Sequence, residues 1–331
     1  MELTNEIVFR GHPDKVCDQI AGACVDDILA HDPEAHTGIE CAVKDSRLWM
    51  FGEVRSTYKC PYKKIAKRVL RDIGYWQRFK VRVNISHQSP DIAMGVRRHG
   101  AGDNGMMFGY ATDETPERLP KAQVILQHIA EKYDGLVHKY PGAFYPDGKA
   151  EVTGDYDETG NLKSVLMVTV CYSNPETMRD KTDAFIRKIV SEECSPEQIV
   201  INPTGAFREY GPWADSGLTG RKIVVDAYEG FAPVGGGSMN GKDPTKVDVS
   251  GAYMARKVAK MYVDQGHFHR VTAQVGYAIG VSEPISLYVT ADGQEIEYPW
   301  SVWEMFRVDN VVKNMAGVKY EEAAKYGHYN N

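Results

Sequence analysis

Thr37-Gly38-Ile39-Glu40-Cys41-Ala42-Val43 and Arg47-Leu48-Trp49-Met50-Phe51-Gly52-Glu53-Val54, with the polar Lys44-Asp45-Ser46 between them, decide how this chain is read. Two strand-like runs about a short polar break predict a hairpin. Helical periodicity flanks it on both sides. Upstream, over residues 13–30, Val16, Ile20, Cys24 and Ile28 recur every four residues; Pro13 suits a first helical turn and Asp32-Pro33 ends the pattern. Downstream, Ile65, Val69 and Ile73 mark an amphipathic helix over 63–73, ended by Gly74. Over 80–86, Val81, Val83 and Ile85 then alternate with polar residues, as in a half-buried strand.

Similar element content returns twice along the 331 residues. A helix around 121–133 precedes strands near 150–156 and 163–172, which flank Asp157-Glu158-Thr159-Gly160-Asn161, and a helix over 180–190. From Gly211 the pattern predicts a strand over 222–226, a glycine-rich run over 235–241, a helix over 249–265 and a strand over 271–281. Residues 88–105 are irregular and glycine-bearing, and suit a surface loop able to act as a lid. Helices interleaved with hairpins, without consecutive βαβ units, predict an α+β fold of mostly antiparallel sheets. The expected divisions are 1–98, 99–210 and 211–331.

Composition narrows the function classes. A net charge of −6 argues against a nucleic-acid surface, which needs a whole face of excess Lys and Arg. Apolar stretches such as Val165-Leu166-Met167-Val168 are far too short to span a bilayer, and the acidic start Met1-Glu2-Leu3-Thr4-Asn5-Glu6 is unlike a secretory leader. A cytoplasmic location is expected. The six cysteines contain no Cys-x-x-Cys pair and read as reduced thiols.

Three constellations carry chemistry. Gly236-Gly237-Ser238-Met239-Asn240-Gly241-Lys242-Asp243 nearly matches a phosphate-binding G-x-x-x-x-G-K-[ST] run, but Asp243 stands where a hydroxyl should hold Mg²⁺, and Pro233 spoils the preceding strand. A flexible surface loop is the other reading of that run. Around it, Lys242, Lys246, Arg221 and Lys222 are interspersed with Asp243, Asp248 and Asp215, a mixture suited to a metal-bound polyphosphate or to a solvated mixed-charge surface. Gly11-His12-Pro13-Asp14-Lys15 supplies a helix N-terminus, an anion site that His12 and Lys15 would reinforce, or else a helix start that Asp14 merely caps. His267 and His269 lack a third ligand for zinc.

Four segments, in order, carry a family resemblance: residues 11–15, Gly100 to Ala111 (Gly100-Ala101-Gly102-Asp103-Asn104-Gly105-Met106-Met107-Phe108-Gly109-Tyr110-Ala111), Asp215 to Lys222 (Asp215-Ser216-Gly217-Leu218-Thr219-Gly220-Arg221-Lys222), and residues 235–248. Together they closely resemble the signature segments of S-adenosylmethionine synthetases. The resemblance implies three α/β domains about a pseudo-threefold axis. It also implies a homodimer with active sites at the subunit interface, a tetramer being the further option, whose substrates are ATP and L-methionine and whose cofactors are Mg²⁺ and K⁺. The implied reaction is attack by the methionine sulfur on the 5′ carbon of ATP, followed by hydrolysis of the released triphosphate to phosphate and pyrophosphate.

By the same resemblance, His12, Lys149, Arg221, Lys222 and Lys242 should surround the triphosphate as the catalytic set. Asp14 and Asp248 should hold Mg²⁺, and Glu40 should hold K⁺. Glu53, Gln88, Asp215 and Lys246 match methionine contacts; Phe207 would stack on adenine; Asp147, Gly148, Asp215 and Ser238 adjoin the nucleotide. The chain departs from the family pattern in a shorter 95–100 loop, in Ala206 where an arginine is usual, in Ser238 for alanine, and in an abbreviated stretch beyond Thr290.

Overall fold

The computed structural model describes residues 1–87 and 100–329. The chain begins with β1 (Glu2–Val8) and turns at residues 9–12 into α1 (Pro13–His31). The predicted hairpin follows as β2 (His36–Lys44) and β3 (Arg47–Arg55), antiparallel from His36 opposite Arg55 to Lys44 opposite Arg47. Asp45 makes its turn at φ 50°, a left-handed conformation that short polar side chains tolerate. Next, α2 (Tyr62–Ile73) ends at Gly74, whose φ of 111° suits glycine at a helix C-terminus, and β4 (Lys80–Ser86) returns parallel to β3.

After β5 (Gly105–Thr112) the plan repeats. α3 (Lys121–Lys139) leads to the hairpin of β6 (Gly148–Tyr156) and β7 (Leu162–Tyr172), then to α4 (Arg179–Glu193) and to β8 (Gln198–Ile201), parallel to β7. A two-residue β9 (Gly217–Leu218) opens the third round. α5 (Val247–Asp264) leads to the antiparallel β10 (Arg270–Tyr277) and β11 (Ser286–Ala291). The closing strand here shrinks to β12 (Gln294–Glu295), antiparallel to β11. Three short helices, α6 (Trp300–Met305), α7 (Val308–Asn314) and α8 (Tyr320–Tyr326), complete the described chain.

The result is an α+β fold with three four-stranded sheets, in the orders β4-β3-β2-β9, β1-β6-β7-β8 and β12-β11-β10-β5. Each sheet takes one strand from another round of the chain. β9 pairs with β2, β1 with β6 and β5 with β10, always antiparallel and always on the first strand of the hairpin. The exchange is cyclic, so sheet membership crosses the divisions expected near residues 98 and 210. Beneath the sheets lie three apolar clusters centred on α1, α3 and α5.

Two borrowed strands meet the helices through glycine. A Cβ at Gly109 in β5 would lie 2.0 Å from the Ala255 carbonyl carbon, and one at Gly217 in β9 would lie 2.1 Å from the Pro13 carbonyl oxygen. Backbone-to-backbone contact of this kind leaves no space for a methyl group.

Several expectations are corrected. Residues 222–226 are not a strand: Ile223–Asp226 is a single helical turn. Its β-branched residues favour extension, but Lys222 and Asp226 bond Asp14 and Lys15, which are adjacent in α1. A helical turn brings i and i+4 together, whereas a strand would spread them by about 13 Å. The strand expected over 271–281 stops at Tyr277, and α3 runs on to Lys139. Strands β1, β5, β8, β9, β11 and β12 went unanticipated; β1 is mostly exposed over its first half and lacks a buried face there. The lid expected over 88–105 lies largely outside the described residues.

One buried carboxylate secures β1. Glu229 Oε2 accepts the Glu6 amide at 2.8 Å, while burial lifts the Glu229 carboxyl to about 8 against the pull of that amide. A carboxyl raised in the folded state stabilises below its unfolded value and loses that contribution as pH rises through the folded one. Glu229→Gln is therefore expected to gain on the parent protein between pH 5 and pH 9, by on the order of 2–4 kcal/mol in urea unfolding. Gly109→Ala is expected to cost about 1–3 kcal/mol and to lower the thermal midpoint at every pH.

Candidate active site

The first turn of α1 is built from charge. His12 occupies the N-cap, and its Nδ1 accepts the Asp14 amide at 3.2 Å. With Nδ1 used as acceptor, the proton of the neutral ring belongs on Nε2. Burial, reinforced by Lys222, lowers the His12 pKa to about 4, so the ring is neutral at pH 7. Asp14, freed from capping, is wholly buried and accepts from Lys222 Nζ at 2.6 Å, Arg221 Nε at 2.9 Å and the Leu218 amide at 2.9 Å. Burial would push its carboxyl up, but these donors, led by Lys222, hold it below the usual range.

Lys15 departs from expectation. It is buried and donates to Asp226 Oδ2 at 2.7 Å, so it braces the helix instead of facing an anion. Asp18, one turn on, accepts the Gly220 amide at 2.8 Å; burial raises it to about 7 despite Lys15. Sequence reasoning missed Asp18 and Asp226. The available signal was an acidic residue at i+4 from Asp14 on a helix otherwise lined by apolar residues.

The nucleotide contacts implied by resemblance gather beside this turn. The Gly11 amide donates to the Pro146 carbonyl at 3.1 Å, placing His12 next to Asp147, Gly148 and Lys149 where β6 starts. Asp147 accepts the Gly211 amide at 2.7 Å, and burial lifts its carboxyl to about 6. Its carbonyl receives the Ser173 amide, and Ser173 forms a bridge to the exposed Phe207. Asp215 is exposed and close enough to His12 and Asp147 to act on both electrostatically. Ser238 packs on Gly220.

A second group forms elsewhere along β2. Lys242 bridges to Gly38 through its backbone, and its Nζ donates to Asp248 Oδ2 at 2.7 Å, while Gly237 donates its amide to Asp248 Oδ1. Lys246 pairs with the buried Asp243 at 3.0 Å, and Asp243 also accepts the Thr37 amide. Glu40 is half-buried, with its carboxyl raised by burial, and lies near Thr219, Lys242 and Glu53. Glu53 faces Gly38 across the hairpin. Gln88 lies outside the described residues.

These two groups meet β2 at different points yet touch each other: Ser238 packs on Gly220, and Glu40 lies near both Thr219 and Lys242. Lys242 joins β2 at Gly38 and β9 joins it at Ala42, four residues or roughly 13 Å along the strand. Among the described residues no three His, Cys, Asp or Glu side chains form a metal-binding group. Asp14 and Asp248 are instead single carboxylates among cations. Such a donor set fits Mg²⁺ that is held largely by substrate phosphates.

This α+β scaffold of three strand-exchanging sheets carries cations at a helix N-terminus, an arrangement suited to an anionic ligand. Comparison with known families is specific. The S-adenosylmethionine synthetase N-terminal domain matches residues 1–94, its central domain residues 98–207 and its C-terminal domain residues 210–331. This chain belongs to the S-adenosylmethionine synthetase family. Among solved structures, it is similar to one described as an unusual S-adenosylmethionine synthetase from Campylobacter jejuni, with 29% identity and a TM-score of 0.90 over 100% of this chain and 95% of the other.

The burial of Asp14 separates its two cationic partners. The Lys222 side chain is 16% exposed and the Arg221 side chain 45%. In the ligand-free protein Lys222→Met is expected to cost about 3 kcal/mol, because it leaves a buried charge half-compensated. Arg221→Met should cost under about 1 kcal/mol. Chemical denaturation of both variants checks the order.

Proposed function

We propose that the cations around Asp14 hold the triphosphate of ATP while the sulfur of L-methionine attacks its 5′ carbon. The activity is that of a methionine adenosyltransferase, giving S-adenosylmethionine, phosphate and pyrophosphate. The observation that carries the site assignment is the juxtaposition of neutral His12, Lys149, Arg221 and Lys222 at one helix N-terminus.

The residue types suit the chemistry. A thioether is nucleophilic without losing a proton, so no general base is needed, and the barrier lies in charge separation as triphosphate leaves. Lys149, Arg221 and Lys222 would neutralise the leaving group. His12, protonated on Nε2, would donate to an oxygen near the 5′ carbon without adding a full charge. Asp147, Gly148, Ser238 and the exposed Phe207 would bind the nucleoside end.

Asp14 and Asp248 would hold Mg²⁺, which, when bound, neutralises phosphate oxygens; Glu40 would hold K⁺. Glu53 and Asp215 suit the methionine ammonium, and Lys246 its carboxylate, with Gln88 as a further contact. The reading includes a homodimer with its active sites at the subunit interface. Phe51, 39% exposed on the outer face of β3, gives that face apolar area to bury. The reading also places the protein in the cytoplasm; among the described residues no helix is long and apolar enough to cross a membrane.

A P-loop NTPase, suggested by the glycine-rich run, is disfavoured by Asp243. It bonds the Thr37 amide and Lys246 inside the fold rather than lining an open loop. Incubation with ATP, methionine and Mg²⁺ should yield a sulfonium product, phosphate and pyrophosphate; ADP as the nucleotide product would sink the proposal. Lys149→Ala and Arg221→Ala should each lower kcat by roughly 10²-fold or more while the methionine KM shifts only a few-fold, since leaving-group charge develops in the transition state.

A further inference from the structure

A groove of about 940 Å³ opens where the C-terminal half of α5 faces the segment joining α7 to α8. Its wall residues Arg256 and Lys260 lie 10 and 14 positions beyond Lys246, about 15–21 Å along the helix at 1.5 Å per residue, so the groove is separate from the Lys242 group. Arg256 is only 4% exposed. Its terminal nitrogens donate to the carbonyls of Tyr110, Arg118 and Glu117, while its Nε is buried with no hydrogen-bond partner among the described residues. Among the described residues no carboxylate forms an ion pair with it, although Asp264 acts on it at longer range.

Lys257, Lys260 and Lys319 line the same groove, and among the described residues none of them forms an ion pair. The carboxylates nearby are only partly available: Asp264 binds Arg118 at 2.7 Å while acting at longer range on Arg256 and Lys260, and Glu322 binds Lys325 at 2.6 Å. A buried guanidinium with no carboxylate in contact is costly to maintain, and an anion in the groove would relieve it. Met261 and Val318 add apolar wall, and the volume lies in the range of small-molecule sites.

We propose that this groove is a second ligand site, for a small phosphorylated anion carrying at least two phosphate groups on an apolar body. It is independent of the catalytic site, and its occupancy does not require turnover.

Equilibrium dialysis with radiolabelled inorganic pyrophosphate tests it. Two classes of site per chain are expected. Lys260→Gln combined with Lys319→Gln should weaken one class at least tenfold and leave turnover within twofold, whereas Lys242→Ala should weaken only the other. A single class that Lys242→Ala removes would overturn the proposal, as would a second class unmoved by the double substitution. Should circular dichroism show the double variant misfolded, the exposed Lys319→Gln alone is read the same way, with at least a threefold weakening expected and no change counting against the site.

Discussion

Asp14 is a full negative charge with no access to water, and its neighbours Lys15 and Asp18 are buried with it. Charges withdrawn from solvent are stable only when paired, and stranding one costs several kcal/mol. All three find their partners in residues 218–226: the Leu218 amide, Gly220 amide, Arg221, Lys222 and Asp226. A two-residue strand such as β9 has too few ladder bonds to stay on the sheet unaided. The charged first turn of α1 holds it there and, in doing so, fixes where Arg221 and Lys222 stand.

That constraint is repeated at larger scale by the cyclic exchange of strands. Each hairpin is preceded by a helix and completed by a strand from another third of the chain, so the residues flanking a borrowed strand arrive at a neighbouring sheet. The turn after β1 brings His12 beside Lys149 at the start of β6, and the turn after β9 brings Arg221 and Lys222 onto α1. The proposed site is therefore a product of the topology. Three distant segments meet because their strands are shared.

Much of this was legible in the residues. The four-residue spacing of Val16, Ile20, Cys24 and Ile28 and the break at Lys44-Asp45-Ser46 announced α1 and the first hairpin, because half-buried elements leave a periodic trace. The signature segments likewise contain many of the cations and carboxylates of the proposed site, His12, Asp14, Arg221, Lys222, Lys242 and Asp248 among them. What failed were elements whose partners are remote. β1 and β9 carry little periodicity of their own, and the Ile223–Asp226 turn overrides its β-branched composition to reach two adjacent residues of α1. Lys15 could not be told from an anion-binding lysine, since nothing local reveals that Asp226 will lie beside it. Nor does residue order reveal that Lys242 and β9 both join β2, four residues apart.

The shared strands also bear on how the chain is made. As it leaves the ribosome, the hairpin of β2 and β3 is complete by Arg55, yet the edge of β2 has no cover until Leu218 is synthesised, on the order of ten seconds later at typical rates. β1 waits likewise for β6. Nascent chains of this topology spend that interval with unpaired strand edges exposed, a hazard for sticking to one another. Holdase chaperones would find their client here in the first third of the polypeptide, well before any substrate could bind.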